Sequence, residues 1–139
     1  MGAARIVIVD DSEEMLDFCS LTLKDRYEVF PCNNPRKIFE VIKANKPDLI
    51  LLDIYLPGAD GLTICEKIKN DKQFSHIPVI LMTGLTREEF LPPGFWQIGT
   101  PADGFLNKPF ELGDLLKEVG RVLGKKKRRI DEQPKGGYL

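Results

Sequence analysis

Five polar residues stand where apolar runs of this 139-residue chain end. Asp10 and Asp11 follow "RIVIV", Asp53 follows "LILL", Thr83 follows "VILM" and Lys108 follows "GFLN". In open α/β sheets, ligands bind beyond the carboxyl ends of the strands, near the point where the strand order reverses. If these runs are neighbouring strands of one parallel sheet, the five side chains converge on one small area.

Asp53 most needs an explanation, because it interrupts a run that otherwise predicts a buried strand. Burying an unpaired carboxylate costs several kcal/mol. Three carboxylates held close together repel one another, and Mg²⁺, which prefers oxygen ligands, would offset that repulsion. Aspartate can also accept a phosphoryl group, and such transfers depend mainly on positioning and charge neutralisation. With Lys108 and Thr83 nearby, the set predicts Mg²⁺-assisted phosphoryl transfer to Asp53.

Each residue taken singly also has an ordinary structural explanation. Asp10 and Asp11 can cap a helix, where anions are favoured. Thr83 can bond a local carbonyl, Lys108 can extend into solvent, and Asp53 can be a turn residue that faces water. These explanations do not account for the gathering of polar groups at one edge of the predicted sheet while the opposite edge lacks such a set.

Short apolar runs alternate with amphipathic helical patterns along the chain. The predicted strands are residues 5–9, 27–31, 48–53, 77–82 and 103–107, and the predicted helices are residues 12–24, 34–45, 60–71 and 110–123. Three of the strands are continuously apolar, which is typical of parallel strands covered on both faces. The pattern predicts an α/β fold, a doubly wound five-stranded parallel sheet.

Capping residues and apolar spacing define the helices in more detail. Ser12 is the predicted N-cap of the first helix, and Asn34 with Pro35 begins the second. The last helix is predicted to bury Leu112, Leu115, Leu116, Val119 and Val122.

One segment departs from this alternation, between the fourth and fifth strands. Thr86 and Glu89 form a capping-box pair, and Pro92, Pro93 and Gly94 then end the helix early. The fourth helix is therefore predicted to be shortened or irregular, with Trp96 on the loop that follows.

Composition limits the classes of protein considered. The chain is 42% hydrophobic and 29% charged, with a net charge of −1, which excludes a disordered chain and gives no overall attraction to nucleic acid or an anionic membrane. It has no run of about 20 apolar residues and no signal-peptide pattern. Its three widely spaced cysteines are typical of reduced, partly buried thiols in a cytoplasmic protein.

The carboxyl terminus is basic. We expect one domain over residues 4–124, and a basic tail or linker start over residues 125–139. The run Lys125 to Arg129 could contact nucleic acid, but a solvated helix end favoured by the helix dipole explains it better. A helix-turn-helix does not fit in the remaining chain, so direct nucleic acid binding and membrane insertion are not expected.

Four motifs in order resemble the receiver domain of two-component response regulators. They are "IVDD", "LLDIYLPGADGL", "ILMTG" and "ADGFLNKPF", and the resemblance covers about residues 4 to 123. It implies a flavodoxin-like strand order of 2-1-3-4-5. It also implies a module of a phosphorelay in which a sensor histidine kinase or a histidine phosphotransfer protein is the donor, and an output protein or domain is the target.

The resemblance also implies roles for single residues. Asp53 would be the phosphoacceptor, and Asp10, Asp11, Asp53 and the backbone carbonyl of Tyr55 would bind Mg²⁺, with Asp10 acting mostly through water. Lys108 would pair with Asp53 at rest and with the phosphoryl group afterwards, and a cis peptide is expected before Pro109.

The same resemblance implies a switch. Thr83 would move toward the phosphoryl group and let Phe105 turn inward, which would rearrange the surface around the fourth helix and fifth strand.

Two features depart from the family pattern. Phe105 stands where a tyrosine is frequent, and the interval from Thr83 to Lys108 is a few residues longer than usual. The extra length leads to the hypothesis that this face is remodelled and that the usual dimer through the fourth helix does not form.

Two other functions fit parts of this pattern. A phosphatase of the haloacid-dehalogenase kind would need a DxD pattern on the first strand, and the adjacent Asp10 and Asp11 argue against it. A pseudo-receiver that only binds partners is disfavoured by the complete acidic set with Thr83 and Lys108. The expected protein catalyses its own phosphorylation and slow dephosphorylation but is not mainly an enzyme, and it is either a stand-alone receiver or part of a larger protein.

Overall fold

A five-stranded parallel sheet forms the centre of the molecule. The computed structural model describes residues 2–84 and 101–132, with side chains described as far as residue 125. The strands of this sheet are β1 (Arg5–Val9), β2 (Glu28–Cys32), β3 (Leu49–Asp53), β6 (Val79–Gly84) and β7 (Gly104–Lys108). Their order is β2-β1-β3-β6-β7. Since β6 and β7 are the fourth and fifth strands of this sheet, the expected 2-1-3-4-5 order is confirmed.

Two short strands that the sequence pattern did not predict follow β3. β4 (Tyr55–Leu56) and β5 (Ala59–Asp60) form a small antiparallel hairpin directly after β3. Gly58 in its turn has a φ of 69°, a backbone conformation that glycine adopts without strain.

Four α-helices of the described ranges lie against the sheet. They are α1 (Glu13–Leu23), α2 (Ile38–Asn45), α3 (Gly61–Asn70) and α4 (Leu112–Glu132). The Ser12 side chain accepts a hydrogen bond from the Met15 N–H at 3.2 Å, so Ser12 is the N-cap expected for α1. Asn34 caps a 3₁₀ turn at residues 35–37 that leads into α2, so the predicted second helix begins with a tighter turn.

The sheet separates two hydrophobic layers because its strands are buried on both faces. Alternate strand residues pack against α2 and α3 on one face and against α1 and α4 on the other. Leu49 to Leu52 of β3 are wholly buried, as the continuous apolar run predicts. Cys32 and Cys65 belong to the first layer and Cys19 to the second, and none of the three cysteines forms a disulfide. All three are buried, whereas the sequence predicted partly buried thiols.

The last helix differs from its prediction at both ends. Leu112 is 57% exposed, because it is the first residue of α4 and the buried stripe begins only at Leu115. The helix also continues to Glu132 instead of ending at residue 123. Lysine and arginine are good helix formers, and their charge is favoured near a helix carboxyl end, so the basic run prolongs the helix.

Some predictions concern residues outside the described ranges. They include the capping pair Thr86 and Glu89, the early helix end, Trp96, the remodelled face and the tail beyond residue 132. Within the described ranges, none of the helices combines the length and the apolar character that crossing a membrane requires.

Candidate functional site

The carboxyl ends of four parallel strands bring the predicted site residues to one edge of the sheet. Asp10 directly follows β1, Asp53 is the last residue of β3, Thr83 is the second-to-last residue of β6 and Lys108 ends β7. The register pairs Asp53 with Met82 across β3 and β6, and Gly84 with Lys108 across β6 and β7. The sequence places these residues at the ends of their strands, and the parallel register brings the strand ends to the same edge of the sheet.

Three aspartates form a compact cluster. Asp10, Asp11 and Asp53 each offer one carboxylate oxygen, and these oxygens all lie within 4.8 Å of one another. Asp10 is wholly buried and Asp53 is 4% exposed, whereas Asp11 is exposed. Two acids therefore lie inside the fold, and the third faces the solvent.

Lys108 connects the two buried acids. Its Nζ lies 2.6 Å from Asp10 Oδ2 and 3.4 Å from Asp53 Oδ2. The other oxygen of Asp10 accepts the Ser12 N–H at 2.9 Å, and Asp53 Oδ1 accepts the Tyr55 N–H at 3.2 Å. The resemblance implied Asp53 as the resting partner of the lysine, but the shorter contact here is to Asp10.

Burial changes the acidity of these groups. Burial, and then the charge of Asp10, raises the pKa of Asp53 from 3.8 to about 6, although Lys108 opposes the shift. Burial alone would lower the pKa of Lys108, but its hydrogen bond to Asp10 and the charges of both aspartates outweigh burial and raise it. A buried carboxylate next to another is costly to ionise without further positive charge nearby.

The donor set of the cluster fits a hard divalent cation. Its side chains offer only carboxylate oxygens, and the ammonium group of Lys108 contacts two of the three, Asp10 and Asp53. Oxygen ligands with excess negative charge suit Mg²⁺. An open groove begins at Asp11 and runs along the hairpin past Tyr55 and Asp60, so solvent reaches the exposed side of the cluster.

The residues expected to act as the switch lie close to the cluster in the sheet. Thr83 is wholly buried and pairs in register with Asn107. Phe105 is partly buried and pairs in register with Leu81. The peptide bond between Lys108 and Pro109 is cis.

Two residues near the site were missed by the sequence interpretation. Gly61 begins α3 directly against β3, and a Cβ there would meet the backbone of Asp53 and lie 2.6 Å from Ile54 Cα. A glycine at the start of a helix is a signal for such a close approach. The Glu118 carboxylate accepts the Phe105 N–H at 2.9 Å, and no sequence signal distinguishes Glu118 from a solvent-facing glutamate.

Comparison with known proteins identifies close relatives of this arrangement. The chain matches the family model described as the response regulator receiver domain over residues 6–120. The regulatory protein VanR of Enterococcus faecium is 38% identical over 125 residues, which are 89% of this chain and 52% of VanR. RpaA of Synechocystis, named as a DNA-binding dual master transcriptional regulator, is 34% identical over 131 residues, which are 94% of this chain and 52% of RpaA.

A solved structure gives the same result for the fold. The chemotaxis response regulator CheY4 of Vibrio cholerae matches with a TM-score of 0.76 and 27% identity, over 87% of this chain and 99% of that one. The chain thus corresponds to nearly all of CheY4 but spans about half the length of VanR and RpaA.

Proposed function

Because the chain belongs to the response regulator receiver family, we propose that it is the phosphoacceptor module of a two-component phosphorelay, with Asp53 as the acceptor. The observation that carries the proposal is the convergence of Asp10, Asp11, Asp53 and Lys108 at the carboxyl edge of the sheet. Receiver domains interact with histidine kinases and output domains, and a phosphohistidine on such a partner is the proposed donor.

In the proposed transfer, an oxygen of Asp53 attacks the phosphorus atom of the phosphohistidine. The bond between phosphorus and the imidazole nitrogen breaks, and an acyl phosphate forms on Asp53. The ammonium group of Lys108, already 3.4 Å from Asp53 Oδ2, is placed to pair with a phosphoryl oxygen. Thr83, at the end of the neighbouring strand, is proposed to contact a second oxygen.

Receiver domains generally bind Mg²⁺ at an acidic pocket, and we propose that this cluster does so. Asp10, Asp11 and Asp53 would hold the ion, with the backbone carbonyl of Tyr55 as a further ligand and Asp10 acting mostly through water. When bound, Mg²⁺ supplies positive charge that offsets the repulsion between the carboxylates and the incoming phosphoryl group.

The proposed output is a rearranged protein surface rather than a released product. Movement of Thr83 toward the phosphoryl group would let Phe105 turn inward, and the neighbouring surface would then favour or release a partner. Self-catalysed phosphorylation and slow dephosphorylation are the only reactions proposed, so the protein is not mainly an enzyme. A cytoplasmic location is proposed, where sensor kinases present their phosphohistidine.

The output activity is proposed to belong to another domain or protein. The chain spans about half of RpaA, which is named as DNA-binding, and about half of VanR. Direct nucleic acid binding by the described residues is therefore not part of the proposal.

Acetyl phosphate provides a direct test. With Mg²⁺ and acetyl phosphate, intact-mass measurement should show one added phosphoryl group. The addition should be absent without Mg²⁺ and absent in Asp53→Asn. It should persist in Asp25→Asn, a control at an exposed aspartate after α1. An unchanged mass in the wild-type protein would contradict the proposal and favour a pseudo-receiver, whereas turnover of a small phosphate ester would favour a phosphatase.

A further inference from the structure

Strand β7 reaches two different parts of the molecule. At its end, Lys108 contacts Asp10 and Asp53 in the acidic cluster. Three positions earlier on the same strand, the backbone of Phe105 contacts helix α4. A displacement of Lys108 would therefore move a strand that is also hydrogen-bonded to α4.

In the described part of the chain, β7 is an edge strand, and α4 provides a hydrogen-bond acceptor on its open side. Among the described residues, β7 pairs with β6 on one side and with no strand on the other. The Phe105 N–H donates instead to Glu118 Oε2 at 2.9 Å. A charged acceptor on a partly buried N–H makes a stronger hydrogen bond than a neutral one.

The Glu118 carboxylate is fixed in position by Arg121. The Arg121 Nε lies 2.8 Å from Oε1 and Nη2 lies 2.9 Å from Oε2, so both oxygens are bound by one guanidinium group. Burial alone would raise the pKa of Glu118, but the hydrogen bonds from Arg121 and from the Phe105 N–H outweigh it and lower the pKa. Glu118 thus stays ionised and oriented toward β7.

Gly104 makes the approach of Glu118 possible. A Cβ at this position would lie 2.6 Å from Glu118 Oε2 and 3.0 Å from Val122 Cγ2. A side chain at residue 104 would therefore push the carboxylate away from the Phe105 N–H, so glycine at this position permits the contact.

The start of β7 is also fixed to neighbouring elements. The Asp103 carboxylate accepts the Val79 N–H at 2.9 Å and pairs with Lys69 Nζ at 2.7 Å. Arg121 Nη2 also donates to the Asp103 carbonyl at 3.1 Å. Because the start of the strand is fixed to β6 and α3, movement at the Lys108 end must be taken up along the strand, where Phe105 is bound to α4.

We propose that Glu118 is a positioning residue of the switch: its carboxylate ties the Phe105 backbone to α4, so that occupancy of the Asp53 site displaces this helix. The inference rests on the proposed function, because it requires Asp53 to be phosphorylated. It assigns to Glu118 the link between strand β7 and helix α4 in this protein.

Amide hydrogen exchange tests the contact without reference to phosphorylation. In the metal-free protein, Glu118→Ala should accelerate exchange of the Phe105 amide about tenfold or more, since the amide loses a charged acceptor. Arg121→Ala keeps the Glu118 carboxylate but removes the guanidinium group that fixes it, so it should give a smaller increase in exchange. This variant replaces Glu118→Ala in the test if Glu118→Ala does not fold. Lys117→Ala, at the neighbouring exposed position of α4, is the control and should leave exchange unchanged. Equal rates in all four proteins would overturn the inference.

Amide chemical shifts test the coupling, with Mg²⁺ and beryllofluoride as the probe that mimics the phosphoryl group. In the wild-type protein and in Lys117→Ala, the amides of Asp53 and Lys108 and those of residues 119–122 in α4 should all shift. In Glu118→Ala the site amides should still shift while the response of α4 is lost.

Two contrary outcomes have different meanings. An undiminished α4 response in Glu118→Ala would overturn the inference and leave the proposed function intact. The absence of any response at Asp53 and Lys108 in the wild-type protein would overturn the proposed function itself.

Discussion

At the scale of single residues, the acidic cluster is a balance between burial and charge. Asp10 and Asp53 are both buried, and Lys108 lies closer to Asp10. Asp10 therefore has the ammonium group and the Ser12 N–H as partners, while Asp53 has the longer contact with Lys108 and the Tyr55 N–H. The acid proposed to react is the one whose negative charge is less well compensated by the protein.

This imbalance predicts how stability depends on pH without metal. The pKa of Asp53 is about 6 in the folded protein and near 3.8 in the unfolded chain. The folded state therefore binds the proton of the Asp53 carboxyl group more tightly than the unfolded state does. Ionisation of Asp53 therefore lowers the free energy of unfolding as the pH rises from about 4 to about 6. At neutral pH and with a chelator present, Asp53→Asn should be more stable than the wild-type protein by about 1 to 3 kcal/mol.

Urea denaturation across this pH range measures the difference. The advantage of Asp53→Asn should shrink as the pH falls below about 5. The exposed control Asp25→Asn should show no such pH-dependent advantage. An advantage that does not change with pH would contradict the assigned pKa.

Lys108 predicts an effect on metal affinity. Its ammonium group competes with a cation for Asp10 and Asp53, since it lies within 4 Å of both carboxylates. Lys108→Met should therefore bind Mg²⁺ about tenfold more tightly by calorimetric titration, because the repulsion between the two positive groups is removed. Lys117→Met, on the exposed side of α4, should bind as the wild-type protein does. Weaker binding by Lys108→Met would show that the lysine organises the site more than it competes with the ion.

At the scale of secondary structure, the position of Asp53 depends on how closely α3 approaches β3. The Gly61 N–H donates to the Ile54 carbonyl at 2.8 Å, and Asp60 caps the helix through the Leu62 N–H at 3.0 Å. The start of the helix is thus bound to Ile54, the residue that directly follows Asp53.

The same substitution at two glycines should have opposite effects. Gly61→Ala places a methyl group against the backbone of Asp53 and Ile54, and should lower the free energy of unfolding by about 1 to 3 kcal/mol. Gly120→Ala, in an exposed turn of α4 with open space around it, should raise stability by about 0.5 to 1 kcal/mol through helix propensity. Urea unfolding measures both, and destabilisation by Gly120→Ala as well would show that the close approach is not the cause.

Sequence patterns predicted the long helices and strands because each contains enough residues for its apolar pattern to be recognised. The apolar run of β3 and the Ser12 cap of α1 are local signals, and both are confirmed. The hairpin of β4 and β5 has two residues in each strand, which is too short for any alternation to show. The prediction that Leu112 is buried was wrong, because helical spacing does not show where contact with the sheet begins.

At the scale of the whole molecule, the strand order decides which residues meet. The order β2-β1-β3-β6-β7 puts the ends of β1, β3, β6 and β7 side by side and leaves β2 at the far edge. The clustering of aspartates around Lys108 could be inferred from sequence, because it follows from the motifs and a parallel sheet. The contact of Glu118 with the Phe105 backbone could not, because it depends on how α4 packs against an edge strand.

The proposed metal site predicts that Mg²⁺ stabilises the entire fold. A ligand that binds only the folded state adds about 2.7 kcal/mol at one hundred times its dissociation constant. Addition of Mg²⁺ should therefore raise the urea midpoint of the wild-type protein without changing the slope of the transition. The increase should be smaller in Asp11→Asn, which removes the exposed acid of the cluster. Equal stabilisation by NaCl at the same ionic strength would show that general screening is responsible.

The distribution of three thiols that form no disulfide over both faces of the sheet gives the molecule built-in chemical probes. Cys19 is on the buried face of α1, and burial followed by the charge of Asp10 raises its thiol pKa to about 12. Cys32 ends β2 and Cys65 is on the buried face of α3, and both belong to the layer between the sheet and helices α2 and α3. A thiol reagent can reach these sulfur atoms only when the covering helices separate from the sheet. The alkylation rate at each cysteine would therefore report how often its own half of the protein opens, without any added label.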